Sequence, residues 1–355
     1  MHGGDIYSHN IKRDFSININ PLGLSLSAKI AYLRALKKIQ NYPDQKCGAL
    51  ADALSKQLAL PTEMLVFGNG ASELIQAVLR AEKARKVLLF APCFTGYEHA
   101  IKACDATPIY LFLGEKEDFS FGEGDLLRLA DVFQLEKPDF VILTNPNNPN
   151  GRLFEQKTVE KIIHLCNESG AKLLIDECFI ELTGSEREFS PVRETSDVEK
   201  GIYIIRAFTK TYAIPGLRLG YCICPNAAAT DALKAALPEW NVSSVAQEVG
   251  LSLLKTCCLQ KARNLIRHER VYLEKELKAL GFKVFNSDVN FILIKEPSEQ
   301  DTTSASLYQK LLAQGILIRD CSEYEGLGQG FYRVAVKKHR ENKLLIKVIK
   351  KVRGK

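Results

Sequence analysis

Arg206-Ala-Phe-Thr-Lys210-Thr-Tyr-Ala-Ile-Pro215-Gly-Leu-Arg218-Leu-Gly220 follows directly on the apolar triplet Tyr203-Ile-Ile205, and this stretch decides how the chain is read. The triplet is short, continuous and apolar, as expected of a strand covered on both faces. Pro215 and Gly216 then bend the chain between a lysine and an arginine eight residues apart. A lysine amine can condense with an aldehyde, and an arginine offers a planar fork of donors suited to phosphate. Pyridoxal 5'-phosphate (PLP) carries both groups, and its ring nitrogen calls for an acidic partner elsewhere. A solvated lysine in an ordinary loop is the plainer reading, but the flanking pattern is too long for it.

The chain on either side has the same grammar. From about residue 62, short apolar runs alternate with longer helical stretches. Leu65-Val-Phe67 precedes a helical segment from Ala71 to about Glu82. Val87–Phe90, Phe140–Leu143 and Leu173–Ile175 are further candidates for buried strands. This predicts an α/β fold with a mostly parallel central sheet. No G-x-G-x-x-G follows a strand, which disfavours a dinucleotide fold. Beyond Pro238 the texture changes. A helical region of roughly Val245 to Leu280 leads to strand-like 283–285, 290–294, 316–319 and 331–336, with helices near Ser306–Gln314 and at the C-terminus. We expect three parts: an N-terminal arm (1–45) in which Pro21, Gly23 and Pro43 break any long element, a large domain (46–240), and an interdomain helix with a small α+β domain (241–355).

Bulk properties exclude other classes. No apolar run approaches the ~20 residues that span a bilayer. The start, Met1-His-Gly-Gly-Asp-Ile-Tyr7, lacks the regions of a signal peptide. Ten cysteines without an export signal point to a reducing cytoplasm, and the absence of a C-x-x-C pair argues against structural zinc. No metal is expected. The net charge of +6 is diffuse, and the basic terminal stretch Lys337–Lys355 reads as the solvated face of an amphipathic helix. Nucleic-acid binding is therefore disfavoured, while a small anionic substrate suits the balance.

Several further segments supply what PLP needs. Gly68-Asn-Gly70-Ala-Ser-Glu73 joins a strand to a helix start, where backbone amides and the macrodipole favour an anion. Asp176 ends a buried strand and can pair with a protonated pyridine nitrogen, although a lone Asp there is also a common turn residue. Thr144-Asn-Pro-Asn-Asn148-Pro-Asn-Gly151 must be a tight loop, and the Asn148 amide can reach the cofactor's phenolic oxygen. Phe94, after another strand, is either a stacking face or a core aromatic. Arg319 and Arg333 lie near the ends of two strand candidates in the C-terminal part, and forked guanidinium groups there suit a substrate carboxylate or phosphate.

With Lys210, Arg218, Asp176, Asn148 and the Gly70 loop in this order, the chain resembles the class I/II aminotransferase superfamily of fold-type I PLP enzymes. Asp14-Phe-Ser-Ile-Asn-Ile-Asn-Pro-Leu-Gly23, Asp176-Glu-Cys-Phe-Ile-Glu181 and Ile318-Arg-Asp-Cys-Ser322 resemble, within it, the L-threonine O-3-phosphate decarboxylases of cobalamin biosynthesis. Histidinol-phosphate aminotransferases are their relatives and supply the alternative activity. The resemblance implies that Lys210 carries the cofactor and that Ala71, Ser72, Thr209 and Arg218 hold its phosphate. Asp176 would meet its ring nitrogen, Asn148 its phenolic oxygen and Phe94 its face. It further implies a homodimer in which Tyr42 reaches the neighbouring subunit's cofactor. Arg319, Arg333, His2, Ser16 and Asn20 would surround the substrate. Phe179 replaces a tyrosine usual in the aminotransferases, and Ala207 replaces a hydroxyl residue.

Overall fold

The computed structural model describes residues 3–191, 201–256, 258–297 and 306–354. The chain enters through β1 (Arg13–Asp14). Seven strands then build the main sheet: β2 (Leu65–Gly68), β3 (Lys86–Ala91), β4 (Thr107–Phe112), β5 (Phe140–Thr144), β6 (Lys172–Asp176), β7 (Ile202–Ala207) and β8 (Gly220–Ile223). Their order is β2-β8-β7-β6-β5-β3-β4, and β8 alone runs antiparallel to its neighbours. The fold is that of a fold-type I enzyme, a large domain on a mostly parallel sheet with a small C-terminal domain.

Every residue of β5 and β7 is buried, because helices cover both faces of the sheet. Alternation divides them between two cores. Val141, Leu143, Ile175 and Ile204 face one, while Phe140, Ile142, Leu174 and Ile205 face the other. Each such side chain stabilises the fold by about 1.5–3 kcal/mol. Parallel pairing also aligns the carboxyl ends, with Thr144 opposite Asp176 and Asp176 opposite Ile205. Loops leaving that edge must converge there, which is where open α/β sheets place their sites.

The smaller sheet consists of β9 (Lys283–Val284), β10 (Phe291–Lys295), β12 (Arg319–Asp320) and β13 (Phe331–Ala335), antiparallel in the order β12-β13-β10-β9. Between them in sequence, β11 (Ile316–Leu317) pairs in parallel with β1, so the arm is stitched to the C-terminal part. The terminal helix His339–Val352 buries Leu345, Ile346 and Ile349 against this sheet's own core.

Four expectations need correction. The arm holds a ten-residue helix, Leu26–Ala35, capped by the Ser25 side chain; Gly23 sits before it and Pro43 beyond it, so neither interrupts it. The helical region after Pro238 is two helices, Ser244–Thr256 and Gln260–Ala279. The strand expected over 316–319 is divided at Ile318 into β11 and β12, which join different sheets. Arg333 stands in the middle of β13, where its register partner is Arg319.

Candidate active site

Lys210 lies in the short helix Phe208–Thr211, which starts where β7 ends. It lines a cavity of about 410 Å³ with Ala71, Ser72, Phe94, Asn148, Asp176, Thr209, Arg218, Arg319, Arg333 and Ser16. Eleven of the expected residues therefore meet at one place, drawn from segments spread from the arm to β13.

The floor is built from the main sheet. Asp176 Oδ1 accepts the Cys178 amide at 2.9 Å, and Oδ2 accepts the Tyr97 hydroxyl at 2.7 Å. Tyr97 in turn accepts from Thr144 Oγ1 at 2.8 Å. Burial first, and then the Asp176 carboxylate, push the Tyr97 phenol well above its ordinary pKa, so it stays a donor. The carboxylate is thus fixed in direction before any ligand arrives. Phe94 meets Tyr97 edge-on at 5.5 Å and 88°.

At one end of the cavity the backbone makes a cradle. Gly70 (φ +77°) precedes the helix Ala71–Ala81. A Cβ on Gly70 would stand 2.8 Å from Arg218 Nη2, and one on Gly220 would stand 2.9–3.0 Å from the Gly70 carbonyl carbon and the Ala71 nitrogen. Only glycine permits that approach. Glu73 Oε2 locks the turn by accepting the Asn69 amide at 2.7 Å. Arg218 itself has a positive φ of 51° and donates to the Asn69 carbonyl at 3.3 Å. A helix N-terminus and a guanidinium thereby face one point, an anion site by construction.

Lys210 Nζ has no hydrogen-bond or ion-pair partner among the described residues. Burial lowers its pKa to about 8, and the like charges of Arg333 and Arg218 add to the shift. The amine is therefore partly neutral near physiological pH.

The roof comes from the smaller sheet and the arm. Arg333 Nη1 donates to Asn148 Oδ1, and Nη2 donates to the Ser16 carbonyl at 2.8 Å. The Asn18 amide, oriented with Oδ1 toward the guanidinium, accepts from Nε and Nη1 at 3.1 and 3.3 Å. Arg319, 5% exposed, has no such bonds among the described residues and lies over the Tyr324 ring.

Residues 10–349 match the family model for aminotransferase class I and II. The chain belongs to that family. This aminotransferase-family chain is 31% identical to threonine-phosphate decarboxylase of Salmonella typhimurium over 99% of its own length and 96% of the relative's. Among solved structures it resembles histidinol-phosphate aminotransferase from Clostridium acetobutylicum (TM-score 0.86, 31% identity, 96% and 99% of the two chains). L-threonine-O-3-phosphate decarboxylase from Porphyromonas gingivalis follows (TM-score 0.78, 26% identity, 96% and 99%).

Three expected residues of this family member lie elsewhere than on the cavity wall, and a fourth is not among the described ones. Gly70 stands just behind it, against Arg218. Asn20 turns away: its Nδ2 donates to the Thr211 carbonyl at 2.9 Å and its Oδ1 accepts the Leu22 amide, so it fastens the arm beneath Lys210. Tyr42 is 81% exposed and packs on Trp240. His2 lies outside the described residues. The Ser16 hydroxyl is engaged with Asp14 and the Gly4 amide, leaving its carbonyl to Arg333.

Sequence reasoning missed Tyr97, Asn18, Cys178 and Tyr324 on the wall. Tyr97 had a signal, since it stands one helical turn after Phe94. The other three had none in their spacing.

Proposed function

We propose that the protein is a PLP-dependent decarboxylase of L-threonine O-3-phosphate, releasing CO2 and (R)-1-aminopropan-2-yl phosphate for cobalamin biosynthesis. The observation that carries this reading is the buried Arg319 guanidinium in the cavity of Lys210, unpaired among the described residues. A buried cation without a carboxylate calls for an anionic ligand. The anion cradle at Gly70 and Arg218 suits the cofactor's phosphate, so Arg319 is left for a second anion on the substrate.

The residues fit PLP. Ala71, Ser72, Thr209 and Arg218 would hold its phosphate, Asp176 its ring nitrogen, Asn148 its phenolic oxygen and Phe94 one face. When bound, the cofactor supplies an electron sink for the pair left by a broken Cα bond. Which bond breaks is set by orientation. Arg319 and Arg333 hold the substrate's anions at two places, which fixes rotation about the bond from nitrogen to Cα. Holding both anions in this way, the two arginines would set which Cα substituent is lost, and the carboxylate would leave as CO2. Lys210 Nζ, which faces the same cavity, would then deliver a proton to Cα. Phe179, packed edge-on against Phe291 at 5.1 Å, adds no hydroxyl beside the cofactor and agrees with the decarboxylase branch.

A homodimer is part of the proposal. Leu26, Leu33 and Ile39 of the arm are 71%, 63% and 61% exposed, and an apolar groove lined by Leu24, Tyr32, Ile214 and Pro215 runs beside them. Such a face calls for cover. A second copy would cover it and bring its Tyr42 to this cofactor. The arm at 1–45, the large domain at 46–240 and the remainder to 355 are the corresponding division.

A second reading, a histidinol-phosphate aminotransferase, is favoured by the TM-score of 0.86 to such an enzyme. One experiment separates the two. PLP-loaded protein is mixed with L-threonine O-3-phosphate and assayed for CO2 and aminopropanol phosphate, while a parallel tube holds histidinol phosphate and 2-oxoglutarate and is assayed for glutamate. CO2 without glutamate is expected. Glutamate without CO2 would overturn the decarboxylase reading.

A further inference from the structure

Arg319 and Tyr324 form a unit. The central carbon of the guanidinium lies 5.2 Å from the centroid of the Tyr324 ring, and both residues line the Lys210 cavity. Tyr324 is 2% exposed. Among the described residues its hydroxyl has no hydrogen-bond partner. The sealed polar atoms without partners among the described residues are Thr95 Oγ1, Arg152 Nε, Glu177 Oε1 and Asn290 Oδ1. The Tyr324 hydroxyl is not one of them, so it retains access to open space, and a buried phenol on a cavity wall finds that space in the cavity.

The ring is held from two sides. The Tyr324 amide donates to the Cys321 carbonyl at 3.1 Å, and the Leu327 amide donates to the Tyr324 carbonyl at 2.9 Å, which closes a turn. Gly326 (φ +81°) follows, and a Cβ built on it would lie 3.1 Å from the Phe112 ring at the end of β4. The turn therefore leaves the smaller sheet and rests on the main one.

We propose that Tyr324 is a specificity-determining residue for a phosphorylated substrate. Its ring holds the Arg319 guanidinium flat, and its hydroxyl donates to the one oxygen of a phosphate that the Arg319 fork leaves free. The inference rests on the functional reading above, which puts a phosphate-bearing amine in this cavity. Donor counting supplies the selectivity. The arginine fork satisfies two oxygens, which is all a carboxylate has, whereas a phosphate monoester presents a third. The phenol is placed for that third oxygen.

The test is calorimetric titration of the PLP-loaded protein with L-threonine O-3-phosphate, L-threonine, histidinol phosphate and histidinol. Wild type is compared with Tyr324→Phe, which keeps the ring, and Tyr324→Leu, which removes it. Tyr324→Phe should weaken binding of a phosphorylated ligand about tenfold, the loss of one charge-assisted hydrogen bond. It should leave the unphosphorylated ligands within about twofold, and turnover should show raised KM with kcat nearly unchanged. Tyr324→Leu should weaken phosphate binding further. Equal affinity in wild type and Tyr324→Phe would overturn the proposal, as would an equal loss for phosphorylated and unphosphorylated ligands. So would a wild type that binds neither phosphate more tightly than its parent alcohol. Turnover of histidinol phosphate alone would overturn the decarboxylase reading, while a tenfold Tyr324→Phe effect on that ligand would still support the role of Tyr324.

Discussion

The floor and the roof of the cavity are made to different rules. On the floor, the groups around the carboxylate are already satisfied by the protein: Asp176 by Tyr97 and the Cys178 amide, Tyr97 by Thr144. On the roof, two adjacent arginines differ from each other. Arg333 is bonded to Asn148 and Ser16, whereas Arg319, its cross-strand partner on β12, holds nothing but an aromatic face among the described residues. A site that keeps one cofactor through every turnover gains from being formed in advance, since no reorganisation is then required. A site that must bind and release a substrate has to leave some donors open.

The sharpest way to break this contrast is Lys210→Ala, which should lower CO2 release by at least about a thousandfold, the order lost with a nucleophilic and proton-transferring group. An activity within tenfold of wild type would remove Lys210 from the chemistry. The two arginines should then separate. Arg319→Met should raise KM for the phosphorylated substrate about a hundredfold, the loss of a paired charged contact, yet leave unfolding of the free protein within about 1 kcal/mol. Arg333→Met should also destabilise the free protein by about 2–4 kcal/mol in urea melts, because buried acceptors on Asn148 and Ser16 lose their donor. Equal stability losses would show that the contrast between them is false.

Tyr97→Phe tests the floor and should weaken cofactor retention about tenfold, through loss of one bond to a carboxylate. Finally, competitive labelling of Lys210 in the cofactor-free protein should titrate with a midpoint of about 8. The amine is protonated and unreactive below that pH and neutral above it. Arg333→Met should move the midpoint upward, since a like charge that favours the neutral form is removed.

Much of the floor was legible because it follows the chain locally. The apolar runs ending in Asp176 and Arg206 announced β6 and β7, and lysine, proline and arginine at close spacing announced the turn that follows. β4 was hidden because it is an edge strand with Pro108 inside it and half-exposed side chains, so no continuous apolar run marks it. β8 has only four residues and begins with Gly220, whose place is dictated by Gly70 just beyond the end of β2. The roof was legible in its arginines but not in their partners. Nothing near Tyr324 in sequence says that its ring lies beneath Arg319, for the segment Glu323–Gly330 has neither a period of two nor of 3.6. Asn20 was misjudged for the same reason, because its role depends on a carbonyl 191 positions away.

The arm's attachments have a consequence for the order in which the molecule is made. The arm segment that lies under Lys210 and Arg333 is synthesised ahead of the elements it joins, and the Ser16 carbonyl must wait 317 positions for its guanidinium. β1 likewise finds β11 only after the main sheet has been translated. Contacts between such distant positions form late, because closing the intervening loop is costly until other structure has shortened it. The arm is thus made before its partners yet placed among the last, and an unfinished chain has a cradle for a phosphate without a lid above it.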